Sequence, residues 1–153
     1  MNAKQKKQIA DIMEKHGVLV GYLFGSAQKG TMGPHSDIDT AVFFDEKKVP
    51  KEKQFDAKME ISGEIARAFP VPDSDVINLN QVQNPVLRYD AVVQGEVIYD
   101  KEPKVRAHLA RAVLREYEDT KYMRETSYRI LHEQIKSGQF GRASINHKKY
   151  VSS

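Results

Sequence analysis

The chain has 153 residues, of which 40% are hydrophobic and 29% charged, with a net charge of +3 and no cysteine. That length is enough for one domain with a real core but leaves no room for a separate substrate domain. The absence of cysteine excludes disulfides and thiolate metal sites. No apolar run approaches the roughly 20 residues needed to span a bilayer. The basic residues are spread along the chain rather than massed, which argues against a nucleic-acid partner.

The N-terminal stretch Met1 to Lys7 is basic, but no apolar segment stands behind it, so no secretory signal is read there and the expected compartment is the cytoplasm. Lys4 to His16 carries Ile9, Ile12, Met13 and His16 at helical spacing, and Gly17 is a natural stop. His16, on the apolar edge of that helix, reads as a packing residue with no further role. A strand-like run, Val18–Phe24, leads into a glycine-rich stretch, and a second run, Ile38–Phe44, leaves it. Asp45 to Lys51 reads as a polar surface connection. Phe55, Met59, Ile61 or Ser62, Ile65, Ala66 and Phe69 then predict a helix that closes before Pro70 and Pro72 and covers one face of a sheet.

Asp73-Ser74-Asp75 precedes a short strand from Val76 to Leu79. Gln83 to Gln94 reads as a short helix ended by Gly95, and Glu96 to Tyr99 as a brief strand. Arg88 is open to two readings, a phosphate or partner contact and the commoner solvated arginine. The longest helical pattern runs from about Lys104 to Lys136, with Val105, Leu109, Ala112 or Val113, Tyr117, Met123, Ile130, Leu131 and Ile135 on its stripe. Part of that stripe is expected to cap the core, and the rest, too long for so small a domain to bury, to dock a partner. The expected organisation is one domain over 1–137 and a polar tail over 138–153 that is mobile or ordered by a partner.

The chemistry-bearing stretch is the one between the first two strands. Gly25 and Ser26 leave a strand where backbone N–H groups and a small hydroxyl can meet phosphate oxygens, and Lys29 adds a nearby cation. Asp37 and Asp39 stand two apart at the start of the next strand. Side chains alternate across a strand, so both carboxylates project from one face and repel each other unless a cation lies between. Asp75 has two readings, a third carboxylate beside that pair or an ordinary turn residue after proline, and Asp73, closer to Pro72, fits the turn.

Gly25-Ser26, ten residues, then Asp37-Ile38-Asp39 resembles the signature of the DNA polymerase beta nucleotidyltransferase superfamily. The continuation, Asp75-Val76-Ile77-Asn78-Leu79-Asn80, then Asn84-Pro85-Val86-Leu87-Arg88-Tyr89, then Gly95-Glu96-Val97-Ile98-Tyr99-Asp100, resembles the minimal nucleotidyltransferases that form the antitoxin half of HEPN/MNT toxin–antitoxin pairs. The resemblance covers about the first two thirds of the chain. It implies an α/β nucleotidyltransferase fold, a small mixed central sheet flanked by helices, with the long helix at its C-terminal end. It also implies two Mg²⁺ ions held by Asp37, Asp39 and Asp75, and ATP as co-substrate with its phosphates on Gly25, Ser26 and Lys29. The implied reaction is transfer of AMP to a tyrosine of a HEPN ribonuclease toxin, which silences it. Homo-oligomers and hetero-oligomers with the toxin both stay open. Two other readings share the motif: an aminoglycoside-type adenylyltransferase, for which the chain has little sequence to spare, and a binding module that neutralises a toxin by occlusion alone. Retention of Gly25-Ser26 and the three carboxylates weighs against the second.

Overall fold

The structure is a computed structural model that describes residues 1–25 and 37–138. Ser26, Lys29 and the expected tail beyond Gly138 lie outside the described residues. The described chain falls into two compact units, residues 1–117 and a second from Glu118.

The first unit is built on a four-stranded mixed sheet. Its elements in order are α1 (Ala3–Lys15), β1 (Val18–Phe24), β2 (Ile38–Phe44), α2 (Lys51–Ala68), β3 (Ser74–Asn78), α3 (Pro85–Val92) and β4 (Glu96–Asp100), followed by α4 (Pro103–Lys136), whose residues up to Tyr117 belong to this unit. The strand order is β3-β2-β1-β4. β1 runs antiparallel to both β2 and β4, and β2 runs parallel to β3. The expected small mixed sheet with flanking helices and a long C-terminal helix is the architecture found.

Local sequence explains where the elements start and stop. Asn2 and Gln5 close a reciprocal capping box on α1, each side chain accepting from the other's backbone N–H at 2.9 Å. Asn84 caps α3 by accepting from the N–H groups of Val86 and Leu87, with Pro85 in the first turn. That cap is why α3 begins two residues later than the apolar pattern alone predicts. β3 begins at Ser74 rather than Val76, so Asp75 lies inside a strand and not in front of one.

Alternation along the strands sorts the core into two layers. Ile38, Val42, Phe44 and Val76 meet Ile9 and Met13 of α1 and Ile61 and Ile65 of α2. On the other side, Tyr22, Ala41 and Leu79 meet Ala91 and Val92 of α3 and Leu109 and Val113 of α4. Each of these large side chains contributes about 1.5–3 kcal/mol by leaving water.

Three expectations change here. Phe55 and Met59 do not pack on the sheet: they are 63% and 52% exposed, and α2 buries Gln54, Ile61 and Ile65 instead. The buried position goes to an amide because Asn78 Nδ2 donates to Gln54 Oε1 at 2.9 Å, a polar junction that an apolar ring could not complete. Arg88 is neither solvated nor available to a phosphate. Its side chain is 12% exposed, and its guanidinium donates to the carbonyls of Leu79 and Val82 and to the Glu116 carboxylate, tying α3 to the end of β3 and to α4. His16 proves to be more than packing, since its ring nitrogens lie 2.6 Å from Glu64 and 3.3 Å from Glu60 on α2.

In the second unit α4 continues to Lys136, with Tyr122, Met123, Tyr128, Ile130, Leu131 and Ile135 exposed. Among the described residues no helix is long and apolar enough to cross a membrane.

Candidate active site

The sheet's register brings the candidate residues to one level. Phe24 of β1 faces Asp39 of β2, and Asp39 faces Asp75 of β3. Asp37 is exposed and stands immediately before β2, two residues ahead of Asp39. Asp75 is exposed on the outermost strand, while Asp39 is half-buried one strand further in.

Gly25, next after Phe24, has a positive φ of 72°. A Cβ on it would stand 2.7 Å from Asp39 Oδ2, so only glycine lets the backbone lie against this carboxylate. Asp73 behaves as the turn residue: its Oδ1 accepts from the backbone N–H of Ser74 at 2.8 Å, and its carbonyl accepts from Ile38 at the first rung between β2 and β3.

Electrostatics mark the same spot. The Asp39 carboxyl is held above the ordinary carboxylate range, first by burial, then by the negative charge of Asp75, then by that of Asp37. The negative charges of Asp75 and Asp37 therefore both bear on Asp39. A cavity of about 200 Å³ opens beside Asp75 and is also lined by Lys58, Met59, Ser62 and Asp73. A larger one, about 500 Å³, lies away from the carboxylates against His16, Gly17, Lys48 and Glu60.

Among the described residues no three His, Cys, Asp or Glu groups are gathered closely enough to hold a metal ion unaided. That still fits Mg²⁺, which is usually bound by one or two carboxylates together with water and substrate phosphates rather than by a cage of protein ligands. The donor chemistry is hard oxygen, and the burial and neighbouring negative charges that disfavour the ionised Asp39 carboxylate are what a dication would offset.

The motif missed two classes of residue. Asn78 and Asn80 lie within it but serve the fold. Asn80 Oδ1 accepts from Phe44 N–H at 2.7 Å, and Asn78 Oδ1 accepts from Asn80 N–H at 2.9 Å, fixing how β3 leaves the sheet. Lys58 and Met59 line the cavity beside Asp75 from a helix whose apolar spacing gave no sign that it faced the site.

A parallel strand pair thus carries the in-register Asp39 and Asp75 beside the Gly25 turn. The sequence profile of the Polymerase beta, Nucleotidyltransferase family matches residues 7–104, and the chain belongs to that family. Solved structures share the fold over almost their whole chains. A toxin–antitoxin with AMP-PNP aligns with TM-score 0.69 at 22% identity, covering 83% of this chain and 98% of that one. The tri-AMPylated Shewanella oneidensis HEPN toxin in complex with MNT antitoxin gives TM-score 0.66 at 20% identity over 86% and 99%. The toxin–antitoxin MntA-HepT gives 0.65 at 20% over 86% and 99%. Comparison with curated proteins by sequence finds no significant match.

Proposed function

We propose that the chain is an antitoxin that transfers AMP from ATP to a tyrosine of a cognate HEPN ribonuclease toxin and so silences it. The observation that carries this reading is the register of Asp39 against Asp75, with the Asp39 carboxyl pushed up first by burial and then by both neighbouring aspartates. The fold shared with an MNT antitoxin found beside an AMPylated HEPN toxin supports the choice of acceptor. So do the exposed apolar side chains of the second unit, which suit a protein partner better than a small polar drug.

In this reading Asp37 and Asp39 hold Mg²⁺, and Asp75 completes the ligand set on the side of the attacking hydroxyl. Mg²⁺, when bound, supplies charge to stabilise both the entering and the departing oxygen of an in-line displacement. Gly25 holds its backbone against the Asp39 carboxylate, and Ser26 and Lys29 serve the β- and γ-phosphates. The tyrosine oxygen forms a bond to the α-phosphorus as the bond to the bridging oxygen breaks. Pyrophosphate leaves, and the phenolic proton passes to Asp75.

The test is incubation of the purified protein with labelled ATP, Mg²⁺ and either the protein encoded by the adjacent reading frame or a panel of aminoglycosides. Label on a tyrosine of the neighbour, lost with Asp37→Asn, is expected. Label only on a drug refutes the reading. Toxin neutralisation that survives Asp37→Asn would make the chain an occluding antitoxin.

A further inference from the structure

The adenylyl-transfer reading leaves open where the acceptor protein sits, and the inference drawn here rests on that reading. In an in-line displacement the nucleophile enters opposite the leaving group. The sheet sets out the order of the parts: Gly25 at the end of β1, Asp39 on β2, and Asp75 on β3, the edge strand. With pyrophosphate held on the Gly25 side, the acceptor oxygen must arrive over the β3 edge.

That edge is bordered by a surface the fold does not use. Phe55 and Met59, one helical turn apart on α2, are the two large apolar side chains the helix leaves in water, 63% and 52% exposed. Between them Lys58 holds its ammonium 5.5 Å from the centre of the Phe55 ring. Lys58 and Met59 also form one wall of the cavity that Asp75 lines, so the patch is continuous with the proposed site of attack. Neither a polyphosphate nor a hydrophilic drug would cover a phenyl ring and a thioether, whereas a protein segment with its own apolar side chain would.

We propose that the Phe55–Lys58–Met59 face of α2 seats the acceptor protein. It takes the segment beside the modified tyrosine, with an apolar side chain against Phe55 and Met59 and a carboxylate against Lys58. The patch determines which protein is modified, while the carboxylates perform the transfer. This assigns acceptor specificity to a helix that shares no residue with the nucleotide motif.

Two variants test it in the full chain, Lys58→Glu and the double substitution Phe55→Ser with Met59→Ser, each assayed with labelled ATP, Mg²⁺ and the neighbouring protein as acceptor. The KM for acceptor should rise about tenfold or more in each, with the KM for ATP unmoved. An Asp or Glu to Lys change near the acceptor's tyrosine should restore Lys58→Glu. All three residues lie outside the buried core, and melting curves matching the parent's would show that the variants fold. Labelling with an unchanged acceptor KM refutes the patch and leaves adenylyl transfer standing. A raised KM for ATP alone would make Lys58 a nucleotide contact and overturns the proposal. If the unsubstituted protein labels no tyrosine, the reading fails and the proposal with it.

Discussion

The two ends of the β2–β3 pair are built from polar residues in opposite ways. At the C-terminal end, Phe44, Asn78, Asn80, Gln54 and the Val49 carbonyl are joined in a chain of hydrogen bonds, among them 2.7 Å from Phe44 N–H to Asn80, 2.9 Å from Asn78 to Gln54 and 3.1 Å from Gln54 to the Val49 carbonyl. At the N-terminal end, the Asp39 carboxyl is pushed away from ionisation, first by burial and then by the charges of Asp75 and Asp37. Polar groups that serve the fold satisfy one another inside the chain. Those set for a ligand leave a charge imbalance that only the ligand removes.

The largest expected effect breaks the second end without touching the first. Asp37→Asn or Asp39→Asn should lower single-turnover AMP transfer by at least about a thousandfold while the protein stays folded, because the amide cannot replace a carboxylate beside a dication. Melting curves measured beside the transfer assay check both halves. Asn78→Ala is the converse. It removes the 2.9 Å hydrogen bond that Gln54 Oε1 accepts from Asn78 and should cost about 1–3 kcal/mol of unfolding free energy in a urea titration, with transfer per folded molecule intact. If Asn78→Ala abolished transfer in well-folded protein, the division between the two ends would collapse. A smaller effect is expected of Ser26→Ala, which in the proposed reading would remove one phosphate hydrogen bond. The transfer rate should fall about 10- to 100-fold, less than for Asp37→Asn, and equal losses would show that the hydroxyl does more than bind.

Much of this was legible in the sequence because strands and carboxylate pairs announce themselves by alternation. Val18–Phe24 and Ile38–Phe44 read as strands to the residue, and they carry Gly25, Asp37 and Asp39 with them. Asp75 could be linked to Asp39 only through a parallel register, which no local pattern encodes. The apolar spacing of α2 misled for a physical reason. Gln54 is buried because Asn78, 24 residues away in sequence, meets it, and that rotation of the helix turns Phe55 and Met59 outward. Arg88 was obscure for the same reason, since the Leu79 and Val82 carbonyls that fix it are brought together only by the turn after β3. What a single sequence hides here is long-range pairing of polar groups.

The smallest effects distinguish the two uses of charge by sign. Asp39 has its pKa raised from an ordinary 3.8 by burial and by Asp75 and Asp37, so between the unfolded and folded values the folded protein holds a proton there that the unfolded chain has released. Its favourable contribution is complete below about 3.8 and is lost as the pH rises through the higher folded value. Asp39→Asn should therefore melt at a higher temperature than the parent near neutral pH, the advantage shrinking to nothing in acid. Glu64 is the opposite case, its pKa lowered from an ordinary 4.5 by hydrogen bonds from Lys15 first and then His16. It stabilises above 4.5 and loses that contribution as the pH falls through the lower folded value, so Glu64→Gln should melt below the parent near neutral pH and converge with it in acid. Added Mg²⁺ should raise the parent's melting temperature and that of Glu64→Gln but not that of Asp39→Asn, since only an intact site gains by binding the ion in the folded state. Melting temperatures across the range from about pH 3 to 7.5, with and without Mg²⁺, test all of this in one experiment. Difference curves of the same sign would mean that the Asp39 carboxylate is a supporting ion of the fold, and the contrast between the two ends of the strands would have to be withdrawn.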